Sequence, residues 1–216
     1  MTDETAPAPA PIAPPTRAPL SLRFSARDLL NVAIVAVIYF VIVFVFVIAM
    51  LGIVSPLAML LTLPLAPIAA GIPYLLFLTR VRHAGMVTLF GLVVGLIYLM
   101  MGHPWQSTVV TVVVSLLAEV ILRAGGYGSK WASIWAYTVF SAWFIGPWIP
   151  FFLDRAAYLR AQSAGTMGAD YMAAFDQVVT VPAVLVMVLV TVICGFLGGL
   201  LGTAVLRKHF RAAGLA

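Results

Sequence analysis

Long apolar runs separated by short polar segments make up most of the chain. A helix needs about 20 apolar residues to cross the hydrocarbon core. Six runs meet or approach that length: Leu29–Ile53, Pro56–Leu78, Gly85–Met101, Trp105–Leu122, Trp131–Leu153 and Thr180–Leu206. The pattern predicts an all-α integral membrane protein with six transmembrane helices. The second run carries Pro64, Pro67 and Pro73. Each removes a backbone donor, which lipid tolerates only where neighbouring helices or water serve the freed carbonyls, so a kinked or broken helix is expected. Ahead of the first run, residues 1–24 alternate Ala and Pro without an apolar core. Such a stretch cannot bury enough surface to fold, so it is expected to be a disordered cytoplasmic tail, with residues 25–216 forming the membrane domain. It lacks the basic start and short apolar region of a cleavable signal peptide.

Composition agrees with this reading. Of 216 residues, 63% are hydrophobic and 9% charged, a balance no water-soluble domain could enclose. The predicted location is therefore the cell membrane, with the lipid bilayer as the main surrounding. The net charge of +5 comes from short basic clusters between runs, not from a continuous stripe, which argues against a nucleic-acid partner. One side collects Arg17, Arg23, Arg27, Arg80, Arg82, Arg123, Lys130, Arg207, Lys208 and Arg211. The other holds Arg155 and Arg160, offset by Asp154, Asp170 and Asp176. Because Lys/Arg asymmetry sets orientation, N-in, C-in topology follows.

The chemistry-bearing residues exclude several functions. The single cysteine, Cys194, lies within the last run and supports neither a disulfide framework nor a Cys/His metal cluster. Gly125–Lys130 has the wrong order and spacing for a phosphate loop. His83, His103 and His209 fall at span ends, and the chain has neither a Gly-x-Ser-x-Gly elbow nor a His-Glu-x-x-His helix. Neither enzyme activity nor an intrinsic cofactor is expected. Ion-coupled carriers keep ionisable groups at mid-membrane. Only Glu119 comes close, four residues before Arg123, where the two can pair on one helix face; a proton relay is the other reading. Glycines spaced by four, Gly91 with Gly95, Gly195 with Gly199 and Gly198 with Gly202, read as internal helix packing.

The outward side concentrates aromatic and hydrogen-bonding residues. His103, Pro104, Trp105 and Gln106 form the turn between the third and fourth runs. Trp143, Pro147, Trp148 and Pro150 stand at the end of the fifth, followed by Asp154, Arg155 and Tyr158. A lone Trp is often an interfacial belt residue. Together these residues suit a pocket for a flat, partly polar molecule, which needs apolar walls and a few placed polar groups. The segment from Asp154 to Val179 is long for a helix connection. It reads either as a passive loop or as a lid, with flexible Gln162–Gly168 and a short amphipathic helix at Tyr171–Phe175 over the mouth.

A family resemblance rests on Gly102-His103-Pro104-Trp105, on Tyr137-x-x-Phe140-Ser141 and Gly146-Pro147-Trp148-Ile149-Pro150-Phe151-Phe152, and on Gly198-Gly199-Leu200-Leu201-Gly202 followed by Leu206-Arg207-Lys208-His209-Phe210-Arg211-Ala212-Ala213-Gly214. With these the chain resembles the MptD-type, or Trep_Strep, substrate-binding (S) components of energy-coupling factor (ECF) ABC transporters. The resemblance implies a binding protein that captures a micronutrient outside and delivers it with a transmembrane coupling subunit and two cytoplasmic ATPases. Well-studied S components dock through an Ala-x-x-x-Ala pattern early in the first helix; the nearest features here are Asn31, Ala33 and Ala36, at a different spacing. Vitamin-like molecules are the usual cargo of that class. His103 in an aromatic setting would also suit an axial ligand to haem iron, although a histidine beside a proline is more often a helix-start turn residue. Two other classes stay open: a small autonomous secondary transporter and a membrane assembly protein without ligand.

Overall fold

The computed structural model describes residues 24–51, 55–81, 84–163 and 168–212, and every regular element among them is helical. Residues 1–23 of the expected tail, residues 52–54 at the end of the first run, Arg82 and His83, Ala164–Met167 between Asp154 and Val179, and residues 213–216 lie outside the described residues.

The first helix, α1 (Ala26–Leu51), starts at a capping box. Asp28 accepts from the Ser25 amide (2.9 Å) and hydroxyl (2.6 Å), and the Asp28 amide donates back to Ser25 Oγ (3.3 Å). The proline-bearing run is broken as its sequence requires. It consists of α2 (Pro56–Thr62), a 3₁₀ turn over Leu63–Leu65 and α3 (Ala66–Leu78). Helices α4 (Met86–Met100) and α5 (Trp105–Ala124) form a hairpin. The fifth run is broken too. It runs as α6 (Lys130–Phe140), a 3₁₀ stretch over Ser141–Trp148 and α7 (Ile149–Leu153). The segment read as a loop or lid is a pair of helices, α8 (Arg155–Ser163) and α9 (Ala169–Val178), before the long α10 (Val181–Ala212). Five of the rods are long and apolar enough to cross a membrane, and α4 is a shorter apolar helix of 15 residues.

Lipid gives helices no hydrophobic reason to associate, so close backbone contact and side-chain packing hold the bundle together. Small residues carry that contact. Gly198 of α10 lies on Pro67 and Ile68 of α3, Gly71 faces the Gly198 carbonyl, and a Cβ on Gly202 would stand 2.9 Å from the Gly71 carbonyl oxygen. Gly91 and Gly95 seat α4 on α5, while Gly195 and Gly199 seat α10 on α6. All three glycine pairs therefore serve packing within the chain.

An aromatic core fills the centre. Tyr39, Tyr74, Phe77, Phe90, Tyr137, Phe140 and Trp143 are buried from five different segments. Tyr39 meets Phe90 and Phe140 edge-on at 5.7 and 5.6 Å, and Phe77 stacks on Phe90 at 5.0 Å. Such pairs add about 0.5–1.5 kcal/mol each beyond burial. Most polar tips are used: Trp143 Nε1 donates to Tyr39 Oη (2.9 Å), and Tyr137 Oη donates to the Pro67 carbonyl beside the proline break (2.6 Å), while Tyr74 Oη makes no hydrogen bond to a described residue. A smaller cluster of Leu60, Trp148, Phe151, Met172, Phe175, Val179, Val184 and Met187 joins α8 and α9 to the bundle.

The alternation of the rods places exposed Arg27, Arg80, Arg123, Lys130, Arg207 and Lys208 at one end, here called the basic end. Arg155 and Arg160 lie at the opposite end, called the cleft end.

Candidate ligand-binding site

Helix α4 stops at the cleft end in a Schellman motif. Gly102 takes φ 92°, which a side chain would oppose. The His103 amide then donates to the Tyr98 carbonyl and the Gly102 amide to that of Leu99, both at 3.0 Å. Pro104 follows in extended geometry and opens α5. This turn sets His103 beside the Tyr98 ring, centroids 4.8 Å apart, and Tyr98 in turn meets the Trp143 ring at 4.7 Å.

Facing the turn is the chain that leaves α7. Between them lies a cleft of about 440 Å³ lined by Gly102, Pro104 and Gln106 on one side and Pro150, Leu153, Asp154, Ala157, Tyr158 and Ala161 on the other. That volume suits a small molecule. Tyr158 also belongs to an aromatic wall, 6.4 Å from Trp148 and 6.4 Å from Phe175, with Trp148 and Phe175 themselves stacked at an interplanar angle of 8°.

Beside the cleft, four buried polar atoms make no hydrogen bond to any described residue: Tyr98 Oη, His103 Nδ1, Gln106 Oε1 and Ser107 Oγ. Tyr98 is 5% exposed and Ser107 1%. Buried polar groups are normally paired; Tyr74 Oη and Thr88 Oγ1 are also unpaired elsewhere in the bundle, but these four fall within ten residues of one another. Burial lowers the His103 pKa from 6.5, which favours the neutral ring.

The expected site residues separate into three groups. His103 and Gln106 carry orphaned atoms, and Gln106, Asp154 and Tyr158 line the cleft. Trp143 and Trp148 are buried structural rings that back it. Trp105 and Arg155 depart from the expectation. Trp105, at the first position of α5, points outward and is 64% exposed, as an interfacial residue would be. Arg155 is already committed: it pairs with Asp176 (2.8 Å) and donates to the carbonyls of Asp176 (2.6 Å) and Val179 (3.2 Å), tying the start of α8 to the end of α9. Asp154 caps α8, accepting from the Ala157 amide at 2.9 Å. Among the α1 residues expected to dock a partner, Ala36 is fully enclosed within the chain and unable to meet one, because α1 turns that face inward. Ala33 is exposed, and Asn31 accepts from Arg80 at 3.4 Å.

Tyr98 and Ser107 escaped the sequence reading. Ser107 was findable, because Ser107, Thr111, Ser115 and Glu119 repeat every four residues through an apolar run and all four are buried. Thr111 and Ser115 spend their hydroxyls on carbonyls four residues back, at 2.7 and 2.6 Å. Ser107, at the top of the stripe, does not.

Glu119 closes that stripe at the basic end, and its partners differ from the expected Arg123. Its carboxylate accepts from the Val87 amide (2.9 Å), the Thr88 amide (3.2 Å) and Tyr127 Oη (2.6 Å). It thus caps α4 from a neighbouring helix, satisfying amides that the first turn leaves without partners.

These features define a multi-pass helical membrane protein with a cleft at one end of its bundle. Residues 26–212, the whole described bundle but for its first two residues, match the family described as "Hypothetical bacterial integral membrane protein (Trep_Strep)", and the chain belongs to that family. No curated protein and no solved structure matches it.

Proposed function

We propose that the protein is the substrate-capturing S component of an ECF-type importer. It sits N-in, C-in as six spans, with the cleft end outside, and takes up a vitamin-like, flat amphipathic micronutrient. The observation that carries this reading is the cleft of about 440 Å³ bordered by orphaned polar groups, in a chain without an ATPase motif. Capture without its own energy source calls for partners, here a coupling subunit and two cytoplasmic ATPases. The exposed face of α1, with Ala33, Leu30 and Val37, offers them apolar surface. The protein itself is not an enzyme. Haem finds little support at the cleft, because no arginine is among its lining residues and Arg155 beside it is held by Asp176.

Mild solubilisation of the tagged protein from its own bacterium tests the proposal. A coupling subunit and ATP-binding proteins should co-purify in fixed ratio, and proteoliposomes of the protein alone should show no concentrative uptake. Recovery of the chain without any ATP-binding protein, together with uptake driven by a proton gradient, would replace this reading with the autonomous carrier. The three hydrogen bonds that occupy Glu119 weigh against that carrier.

A further inference from the structure

We infer that the orphaned groups at the cleft recognise the uncharged hydrogen-bonding edge of a ring-bearing ligand, a carboxamide or equivalent, and discriminate against carboxylates. This inference rests on the capture reading and specifies its cargo.

Charge is the first argument. A carboxylate ligand needs a cation or several amide donors, and the described lining residues include no cation. Its ionised lining group is Asp154, an exposed carboxylate at the rim that would repel an anion. Arg155, next in sequence, is committed to the Asp176 carboxylate and to the Asp176 and Val179 carbonyls. Across the cleft, the α4–α5 turn contributes Gly102, Pro104 and Gln106, none of them charged.

Hydrogen-bonding capacity is the second. Tyr98 and Ser107 offer hydroxyls that can donate or accept, Gln106 a carboxamide with both functions, and His103 one ring nitrogen of either kind. Gln106 lies on the cleft lining, His103 stands between the lining residues Gly102 and Pro104 with Tyr98 against its ring, and Ser107 follows Gln106 with its hydroxyl turned to Gly146. A neutral edge carrying both a donor and an acceptor satisfies such a set, whereas a carboxylate accepts only. The shape follows from Tyr158, the aromatic ring among the lining residues, which can meet one face of a planar ring and is itself held by the buried Trp148 and Phe175 rings.

Matched pairs of fragments separate these terms. The full-length protein in nanodiscs would be titrated with nicotinamide against nicotinate, pyrazinamide against pyrazinoate, and indole-3-acetamide against indole-3-acetate, read by tryptophan fluorescence and thermal shift. At least one carboxamide should bind at least tenfold more tightly than its acid, and Gln106→Leu and Ser107→Ala should each weaken it fivefold or more. Gln106 is only half-buried, so Gln106→Leu keeps the test alive if Ser107→Ala folds poorly. Acids binding as well as amides would overturn the inference while leaving capture at this cleft intact. Amide binding unaffected by either variant would also overturn it, by moving the ligand elsewhere. Silence from every pair would overturn both this inference and the capture reading.

Discussion

The turns that follow α4 and α5 share one backbone design. Gly102 and Gly126 take φ values of 92° and 63°, and in each case the next amide, His103 or Tyr127, reaches back to the carbonyl five residues earlier. Both motifs deliver a polar ring to the bundle, and the rings meet opposite fates. Tyr127 donates to Glu119, which also holds two amides of α4, so this joint is closed apart from the unpaired Thr88 hydroxyl beside it; burial, and then the bond to Glu119, raise the Tyr127 pKa. At the cleft end His103, with Tyr98, Gln106 and Ser107, leaves four atoms unpaired. The same local chemistry therefore builds a fixed joint at one end and an unfilled site at the other. Stability is invested in the first, and function is proposed for the second.

The largest consequence lies at the joint. Glu119→Ala removes acceptors from two amides and a hydroxyl, and hydrogen bonds to a charged group contribute about 1.5–3 kcal/mol each. A loss of about 3 kcal/mol or more is expected in reversible unfolding from mixed micelles, with Glu119→Gln losing about half as much because one acceptor survives. If Glu119→Ala unfolded with the wild-type curve, the distinction between the two ends would collapse. Next comes the seam behind the cleft, where a Cβ on Gly146 would stand 2.7 Å from Ser107 Cα. Gly146→Ala has to push the 3₁₀ stretch off α5, at a cost of about 1–3 kcal/mol, whereas Gly168→Ala meets open space and should cost little.

Changes at the orphans should carry the reverse sign. Ser107→Ala removes an unpaired buried hydroxyl, so the ligand-free protein should gain about 1 kcal/mol while ligand binding weakens. Ser115→Ala, which breaks a made bond to Thr111, should not gain. A loss of stability in Ser107→Ala equal to that in Ser115→Ala would mean that the Ser107 hydroxyl is satisfied after all. His103 adds a pH signature. Burial lowers its folded pKa from 6.5, so as the pH falls the unfolded chain takes up a proton before the folded one. Stability should therefore decline from about pH 6.5 down to the lower folded value, and His103→Phe should remove that part of the decline in melting curves compared at pH 7.5 and 5.5.

Much of this architecture was legible in the sequence because apolar length and proline chemistry act locally. The proline break at Pro64–Pro73 and the separation of Arg27, Arg80 and Arg207 from Arg155 and Arg160 needed no tertiary knowledge. The second broken rod was harder to read, since a 3₁₀ stretch over Ser141–Trp148 depends on Gly146 meeting Ser107 across the bundle. Glu119 was misassigned for the same reason. An i, i+4 basic neighbour is visible in sequence, while amides at Val87 and Thr88, more than thirty residues away, are not. Arg155 was read as a ligand contact because its partner Asp176 is reached only once α8 and α9 fold back on each other.

That same arginine gives the smallest expected effect. The Arg155–Asp176 pair is exposed, and exposed pairs contribute about 0–1 kcal/mol. Its donation to the Asp176 and Val179 carbonyls adds to the C-terminal cap of α9, where the Val179 and Thr180 amides already reach the Phe175 and Val178 carbonyls. Arg155→Gln should therefore cost about 1 kcal/mol in global unfolding. Its local effect should be larger in proportion, because α9 is short and rests on the bundle mainly through Met172 and Phe175. Amide exchange should rise first in the last turn of α9 and leave the α4–α5 hairpin at its wild-type rate. Faster exchange in both places would couple the cleft's cover to the hairpin, and the two ends of α5 would no longer be independent.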